Sequence, residues 1–518
     1  MIYSNIIGLP GKIMKKVKKL NELARIIKGI KEKGKTVVQC HGVFDLIHLG
    51  HIRHFNMARK EGDVLVVTIT KDEHVKRGPG RPVFNHNIRA ETLASLSITD
   101  YVCIIDFPTA IECIKTLKPD VYVKGADYKQ KETDLTGKIY DEDEAVKSIG
   151  GRLVFTDDIT FSSSKLLNHY VDVFPPRTLR YLKAIGKRYT VDYIREKFDL
   201  LRKLKVLVIG DSIIDQYYYC IPMGKSSKEH LIANKYISKE SFAGGTLATA
   251  NNVAGICDKV DLITVLGEKE TFKDFIDNSL STNIRSTFFT RPDAGTIIKR
   301  RFVNKGVNRK LFEICYMKDD DISKELEEKI IKKLKGVIGG YDLVVVADFG
   351  HGLLTPQIRK LICQKAKHVA LNVQTNSANI GFNLVTKYPR ADCVCVDEME
   401  LRFATHDRSA DLRTHMRKIQ KQMRCGNIIA TRGAHGSLSY SKKSGFHETP
   451  AFAYRVIDAI GAGDAFFAFV GPCFAAKMPQ DVTSFIGNAV GSLAVQIVCN
   501  RESVSSVDLM KFITRLLK

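Results

Sequence analysis

Two short stretches of the chain carry residues whose types and spacing suit phosphate chemistry. His48-Leu49-Gly50-His51 sets two imidazoles three positions apart around a glycine, inside the run Gly42-Val43-Phe44-Asp45-Leu46-Ile47-His48. Nucleotidyl transfer needs in-line attack on an α-phosphorus and stabilisation of the charge that builds there. Donors at a helix N-terminus suit that task. Gly50 lets a triphosphate approach the backbone closely. The second stretch is Asp458-Ala459-Ile460-Gly461-Ala462-Gly463-Asp464. Phosphorylating an alcohol needs a base beside the hydroxyl and an anion hole for the moving phosphoryl group. Small residues at Gly461, Ala462 and Gly463 expose backbone N–H groups, and Asp464 supplies the base. The plainer alternatives are two surface histidines at a helix start and a glycine turn with an N-capping aspartate.

The surrounding sequence predicts the elements that place these residues. Thr36 to Cys40 reads as a strand ending at Gly42, and residues 49–60 as a helix, so the histidines fall in a strand-to-helix turn. Further strands are expected at 63–70, 101–105, 121–123 and 152–155, with helices at 88–98, 109–117 and after Ser164. Strand–helix alternation implies a parallel sheet covered by helices, an α/β fold. Pro175-Pro176 breaks the chain, and a charged helical stretch runs from about 190 to 203. Val206 to Gly210 then opens a second α/β unit, with a helix from Ala465 behind Asp464. The expected boundaries are a basic amphipathic helix within 1–34, a first domain over 35–170, a linker over 171–203 and a second domain over 204–518.

Composition narrows the classes. The 518 residues suffice for two to four domains, and 44% apolar with 26% charged residues is ordinary for a globular protein. The longest strongly apolar stretch, Ala465 to Ala476, is too short to span a membrane and contains Gly471 and Pro472. No secretory signal pattern opens the chain, so a cytoplasmic location is expected. The 12 cysteines show no CxxC pair, which points to buried thiols rather than disulfides or zinc. The net charge of +23 raises the question of nucleic acid, but residues 11–35 carry +8 and residues 177–205 carry +7 of it. In 11–35 the apolar positions Ile13, Val17, Leu20, Leu23, Ile27 and Ile30 recur at helical spacing, as expected for a helix packed on a domain with a solvated lysine face. No RNA- or DNA-binding signature accompanies the charge, and no nucleic-acid partner is expected.

The region 18–170 resembles the HxGH cytidylyltransferase-like superfamily, most closely the adenylyltransferase domain of bifunctional heptose-phosphate kinase/heptose-1-phosphate adenylyltransferases. Besides Gly42 to His51, the resemblance rests on Phe55, Ala58, Arg59, Gly62-Asp63, Thr70-Lys71-Asp72, Lys76-Arg77, Arg81-Pro82-Val83 and Arg89. Val123-Lys124-Gly125-Ala126-Asp127-Tyr128 and Thr160-Phe161-Ser162-Ser163-Ser164 complete it. It implies that His48, His51 and Lys76 act on the transferring phosphate, and that Ser162, Ser163 and Ser164 hold the outer phosphates. Gly42, Phe44, Gly50, Lys124 and Asp127 would line the nucleotide site, and Arg81 and Arg89 would meet substrate. It favours ATP with Mg²⁺ at this site, with CTP left open.

Residues 204–518 resemble the ribokinase/PfkB sugar kinases through the stretch ending at Asp464, with Ala459 in place of the family's threonine. Gly210-Asp211, Asp215, Gly244-Gly245, Asp348, Glu400 and Thr431-Arg432-Gly433-Ala434-His435-Gly436 extend the match. The resemblance implies ATP contacts at Thr431, Gly433, Gly436, Gly461, Ala462, Gly463 and Asn488. It implies sugar contacts at Asp215, Gly244, Gly245, Lys299 and Arg301, and magnesium at Glu400. Thr296, Lys299 and Arg301 match the heptose pattern. Ala248 or Thr249 replaces a sugar-binding Asn, Asn372-Val373-Gln374 replaces Asp-Pro-Lys, and Asp397 replaces an Asn. Glu313 and His351 stand where the heptose kinases carry an arginine and a lysine. The domain order is also inverted. The expectation is a bifunctional enzyme that phosphorylates a sugar and attaches a nucleotide to the sugar 1-phosphate, dimerising through the kinase domain. The alternative is an active nucleotidyltransferase with a weakened kinase-like domain that binds or dimerises.

Overall fold

The structure is a computed structural model that describes residues 15–75, 82–125, 138–156, 174–453 and 455–517. The chain divides into two compact units, one reaching Pro175 and one running from Pro176 to Leu509.

The first unit is built on five parallel strands, β1 (Val37–Gly42), β2 (Val64–Thr70), β3 (Tyr101–Ile105), β4 (Val121–Gly125) and β5 (Arg152–Thr156), in the order β3-β2-β1-β4-β5. Every residue of β2 is buried, as expected of a strand covered on both faces. The order reverses between β1 and β4, which opens a crevice at their C-terminal ends. Helix Leu49–Arg59 follows β1 and buries Phe55 and Ala58 against the sheet. The basic segment is a helix over Leu20–Lys31. Its Leu23 and Ile27 pack among Val64, Cys103 and Leu117 while its lysines stay at the surface.

In the second unit the main sheet has nine strands. These are β6 (Lys205–Gly210), β9 (Lys259–Lys269), β10 (Ile284–Gly295), β13 (Leu343–Asp348), β14 (Val369–Val373), β15 (Cys393–Asp397), β16 (Asn427–Thr431), β17 (Ser437–Ser441) and β18 (Gly445–Thr449). The order is β10-β9-β6-β13-β14-β15-β16-β17-β18, parallel throughout except for β17, which runs antiparallel to both its neighbours. A second sheet, β12-β11-β7-β8, comprises β7 (Ser212–Lys225), β8 (Ile232–Gly245), β11 (Ile297–Asn304) and β12 (Arg309–Tyr316). From Pro176 the stretch expected as a linker is two helices, Pro176–Arg188 and Val191–Arg202. Their apolar faces, including Ile185, Ile194 and Leu201, are buried, which ties them to the second unit.

The apolar run after Asp464 forms helix Ala462–Ala475 in the core of the second unit, next to helix Gln480–Ala494. Among the described residues no helix is long and apolar enough to cross a membrane. All 12 cysteines are free thiols, and all but Cys315 are buried.

Candidate active sites

A cavity of about 390 Å³ in the second unit gathers Asp215, Gly245, Lys299, Arg301, Glu400, Thr431, Gly461, Gly463 and Asp464. Each arrives on a different piece of local structure. The second sheet supplies Asp215 from β7 and Lys299 and Arg301 from β11. Gly244 and Gly245 end β8, and a Cβ at Gly244 would fall 2.0 Å from Asp215 Oδ2, so only glycine leaves room for that carboxylate. Gly461 caps helix Ala462–Ala475 at φ +84°, a left-handed conformation, and puts Asp464 in the first turn. The free N–H groups of that turn point where an anion would sit.

Asp464 is 8% exposed, and burial pushes its carboxyl up to about 7. The side-chain amide of Gln374, which hydrogen-bonds Asp464 Oδ1, and the charge of Lys299 pull the other way, while Asp215 adds to the rise. A carboxylate half-ionised near neutrality is suited to take a proton from an alcohol. Lys299 lies over the Phe349 ring, and among the described residues no carboxylate comes within ion-pair distance of it. Arg301 differs: it pairs with Asp215 on one side and with Glu313 Oε2 at 2.7 Å on the other.

Glu400 closes a capping box at helix Glu398–Thr405, accepting N–H bonds from Asp397 at 2.8 Å and Thr375 at 2.9 Å. Burial, with the nearby Asp397 carboxylate second, raises it to about 7. Both carboxyls line the cavity. Among the described residues no cluster of three metal-ligating side chains forms.

Thr431 ends β16 at the cavity, and Gly433 and Gly436 follow in a tight turn at φ +53° and +83°. Neither glycine lines the cavity, nor does Asn488, whose amide donates to Ser437 Oγ at 2.7 Å and to Ser484 O at 2.8 Å. The structure therefore uses Asn488 to fasten its helix to β17 rather than presenting it to this cavity.

In the first unit His48 is the N-cap of helix Leu49–Arg59, and its Nδ1 accepts from Gly50 N at 3.1 Å. The rings of His48 and His51 lie 3.9 Å apart, centroid to centroid, and His51 meets the Phe44 ring edge to face at 5.3 Å. Phe44 itself adopts φ +47°, and its ring lies 3.1 Å from where a Cβ on Gly42 would be. Burial lowers the pKa of His48, which favours the neutral ring; with Nδ1 accepting, the neutral ring carries its proton on Nε2. Lys124 ends β4 across the crevice, ion-paired with buried Glu142 at 2.8 Å.

Arg89, expected to meet substrate, has its donors taken up inside the unit. It is 1% exposed, and its guanidinium donates to Val43 O, Thr70 O, Phe84 O and Asp72 Oδ1. It clamps the strand ends around the histidines instead of facing the crevice. Lys76, Arg81, Asp127, Ser162, Ser163 and Ser164 lie outside the described residues.

Residues 203–504 match the pfkB family of carbohydrate kinases, more than half of the chain. The chain belongs to the pfkB carbohydrate kinase family. Residues 40–167, ahead of the pfkB unit, match the cytidylyltransferase-like family. A Geobacter metallireducens protein named Bifunctional protein HldE is 39% identical over 174 residues, 33% of this chain and 32% of its own length. One of the same name from Nitratiruptor sp. is 44% identical over 118 residues, 22% of this chain and 26% of its length. The chain thus spans about a third or less of the curated relatives it matches. Phosphofructokinase-2 from Escherichia coli, crystallised with substrates and products, superimposes with a TM-score of 0.51 over 61% of this chain and 100% of its own. At 12% identity that likeness concerns the fold alone.

The sequence named Asn372, Gln374 and Asp458 but not the partners that hold them. Gln374 hydrogen-bonds Asp464 Oδ1 and also Asn372 Oδ1 at 2.9 Å, and Asn372 in turn donates to Cys395 O at 2.8 Å. Asp458 anchors the glycine turn, accepting from Tyr217 Oη at 2.7 Å and Lys310 Nζ at 2.5 Å. The Asp458 motif was visible, but its two partners lie more than a hundred residues away.

Proposed function

We propose that this chain is a bifunctional enzyme of nucleotide-sugar synthesis. The pfkB unit phosphorylates a heptose-like sugar with ATP, and the cytidylyltransferase-like unit transfers AMP from ATP to the resulting sugar 1-phosphate, releasing pyrophosphate. The carrying observation is the convergence of Asp464, raised to about 7, with Lys299 and the Gly461–Gly463 helix start around one cavity. A module that only bound nucleotide would gain nothing from a carboxyl whose burial outweighs its polar contacts, which disfavours the weakened-kinase alternative.

In the kinase step the sugar hydroxyl oxygen attacks the γ-phosphorus, its proton passes to Asp464, and ADP leaves. The N–H groups at the start of helix Ala462–Ala475 and the Lys299 ammonium balance charge on the moving group. Glu400, with Asp397 beside it, would hold magnesium, which when bound would supply positive charge against the phosphates; a buried carboxyl whose pKa is raised fits a cation. In the transfer step an oxygen of the sugar 1-phosphate attacks the α-phosphorus, so no protein nucleophile is required. His48 Nε2–H and the start of its helix stabilise the charge.

The chain would work in the cytoplasm, where ATP is supplied. Ile221, Met223, Ile232, Tyr236 and Phe312 leave an exposed apolar surface on the second sheet, which supports a homodimer through the pfkB unit. Site-selective knockouts test the scheme. Asp464→Asn should stop ADP release from sugar and ATP while leaving pyrophosphate release from sugar 1-phosphate intact, and His48→Ala should do the reverse. Loss of both activities in either variant would overturn the two-site reading.

A further inference from the structure

We infer that the sugar site of the pfkB unit selects an acceptor without a phosphate at the end that meets Arg301, and that Glu313 is the residue that sets this selection. The inference rests on the kinase reading above and names its substrate class.

Arg301 on β11 and Glu313 on β12 stand directly opposite in the antiparallel register. Their side chains meet at 2.7 Å, from Arg301 Nε to Glu313 Oε2, while Arg301 Nη1 holds Asp215. The other Glu313 oxygen accepts from Cys315 Sγ at 3.2 Å, which fixes the carboxylate in place. One guanidinium is therefore shared between two carboxylates, and the local balance is one negative charge. A bidentate grip on a phosphate needs the Nε edge that Glu313 occupies.

The rest of the cavity supplies no substitute. Its carboxyls are Asp215, Asp397, Glu400 and Asp464, against the cations Lys299 and Arg301. Lys299 lines the same cavity as Asp464 and its charge lowers that carboxyl's pKa, so it is assigned to the transferring phosphoryl group. His351 does not line the cavity: its side chain is fully buried and its Nδ1 lies 2.9 Å from Asp319. A phosphate ester on the sugar would thus meet the Glu313 carboxylate beside an arginine already shared between two carboxylates. A polyol end could instead donate hydroxyls to Asp215 and Glu313.

The test compares a neutral heptose with heptose 7-phosphate, by turnover with ATP and by calorimetric binding in the presence of a non-hydrolysable ATP analogue. The protein as it stands should favour the neutral sugar at least tenfold in both measurements. Glu313→Arg should shrink or invert that ratio by tenfold or more, and Glu313→Gln should move it in the same direction by less. A preference for the 7-phosphate in the unaltered protein, or a ratio unmoved by Glu313→Arg, would overturn the inference. Binding that follows Glu313 without any turnover would uphold the selection and remove the kinase reading. Absence of binding by both sugars would remove both.

Discussion

Asp464 gives the kinase reaction a pH dependence that can be worked out in advance. Its carboxyl is raised from 3.8 to about 7, chiefly by burial. That shift corresponds to roughly 4 kcal/mol against the ionised form in the folded protein. One pH unit below the pKa only about a tenth of the base is ionised, and one unit above it about nine-tenths. The kcat/KM for sugar reports groups of the free enzyme, so it should fall about tenfold from its plateau by pH 6. The assay is ADP release at low sugar concentration from pH 5 to 9. Glu400 carries a similar value, so Glu400→Gln is the control: whatever its rate, the acid limb must remain. The sign for stability is opposite to that for activity. A carboxyl whose pKa is raised by folding stabilises the fold below 3.8 and loses that contribution as pH rises through about 7. Asp464→Asn should therefore abolish turnover, by about 10²- to 10⁴-fold, yet melt several degrees higher at pH 8 than the unaltered protein. A kcat/KM that stays flat down to pH 5, or an Asp464→Asn variant that melts lower at pH 8, would refute the assignment of Asp464 as a buried base.

Three other outcomes follow from the geometry. His48→Ala should lower pyrophosphate release by about 10²-fold or more with the kinase rate unchanged, as expected for loss of one charge-stabilising donor; a change under tenfold would count against its role. Arg89→Met removes four hydrogen bonds from a buried clamp and should cost roughly 3–5 kcal/mol in denaturant unfolding of the first unit, whereas a loss under 1 kcal/mol would show that the clamp is dispensable. Gly461→Ala puts a Cβ 2.1 Å from Asn500 Oδ1 at a left-handed φ, so it should disrupt the anion hole and depress the kinase rate at least tenfold with nucleotidyl transfer intact; an unaltered kinase rate would contradict the placement of that turn.

Much of this architecture could be read from residue order. The five strands of the first unit, and the helices expected at 49–60, 88–98 and 109–117, lie within a few residues of their expected positions because parallel strands buried on both faces read as continuous apolar runs. Val64 to Thr70 is the plainest case. The helix expected after Ser164 lies outside the described residues, and helix Lys138–Ser148 was not foreseen. The two chemical turns were legible because His48 and Asp464 follow local signals: a strand followed by a helix in one, small residues before an apolar helix in the other. The second sheet was not foreseen. Its strands β7 and β8 carry polar, aromatic and charged residues on half-exposed surfaces, without the apolar runs of the main sheet. Side-chain allegiance was the least legible feature. Arg89 and Arg301 are the same residue type, yet one is spent on three backbone carbonyls and the Asp72 carboxylate and the other on two carboxylates. Those partners are set by strand register and by contacts between distant segments, which local sequence does not encode.

The most direct test of the two-centre assignment is one reaction followed by ³¹P NMR, with purified protein, neutral heptose, ATP and magnesium. A sugar 1-phosphate resonance should appear first, followed by the paired signals of a nucleotide-linked sugar and free pyrophosphate. Asp464→Asn should yield neither unless sugar 1-phosphate is added. Pyrophosphate and a nucleotide-linked sugar formed by Asp464→Asn from heptose and ATP alone would contradict the assignment, as would an unaltered protein that forms no sugar 1-phosphate.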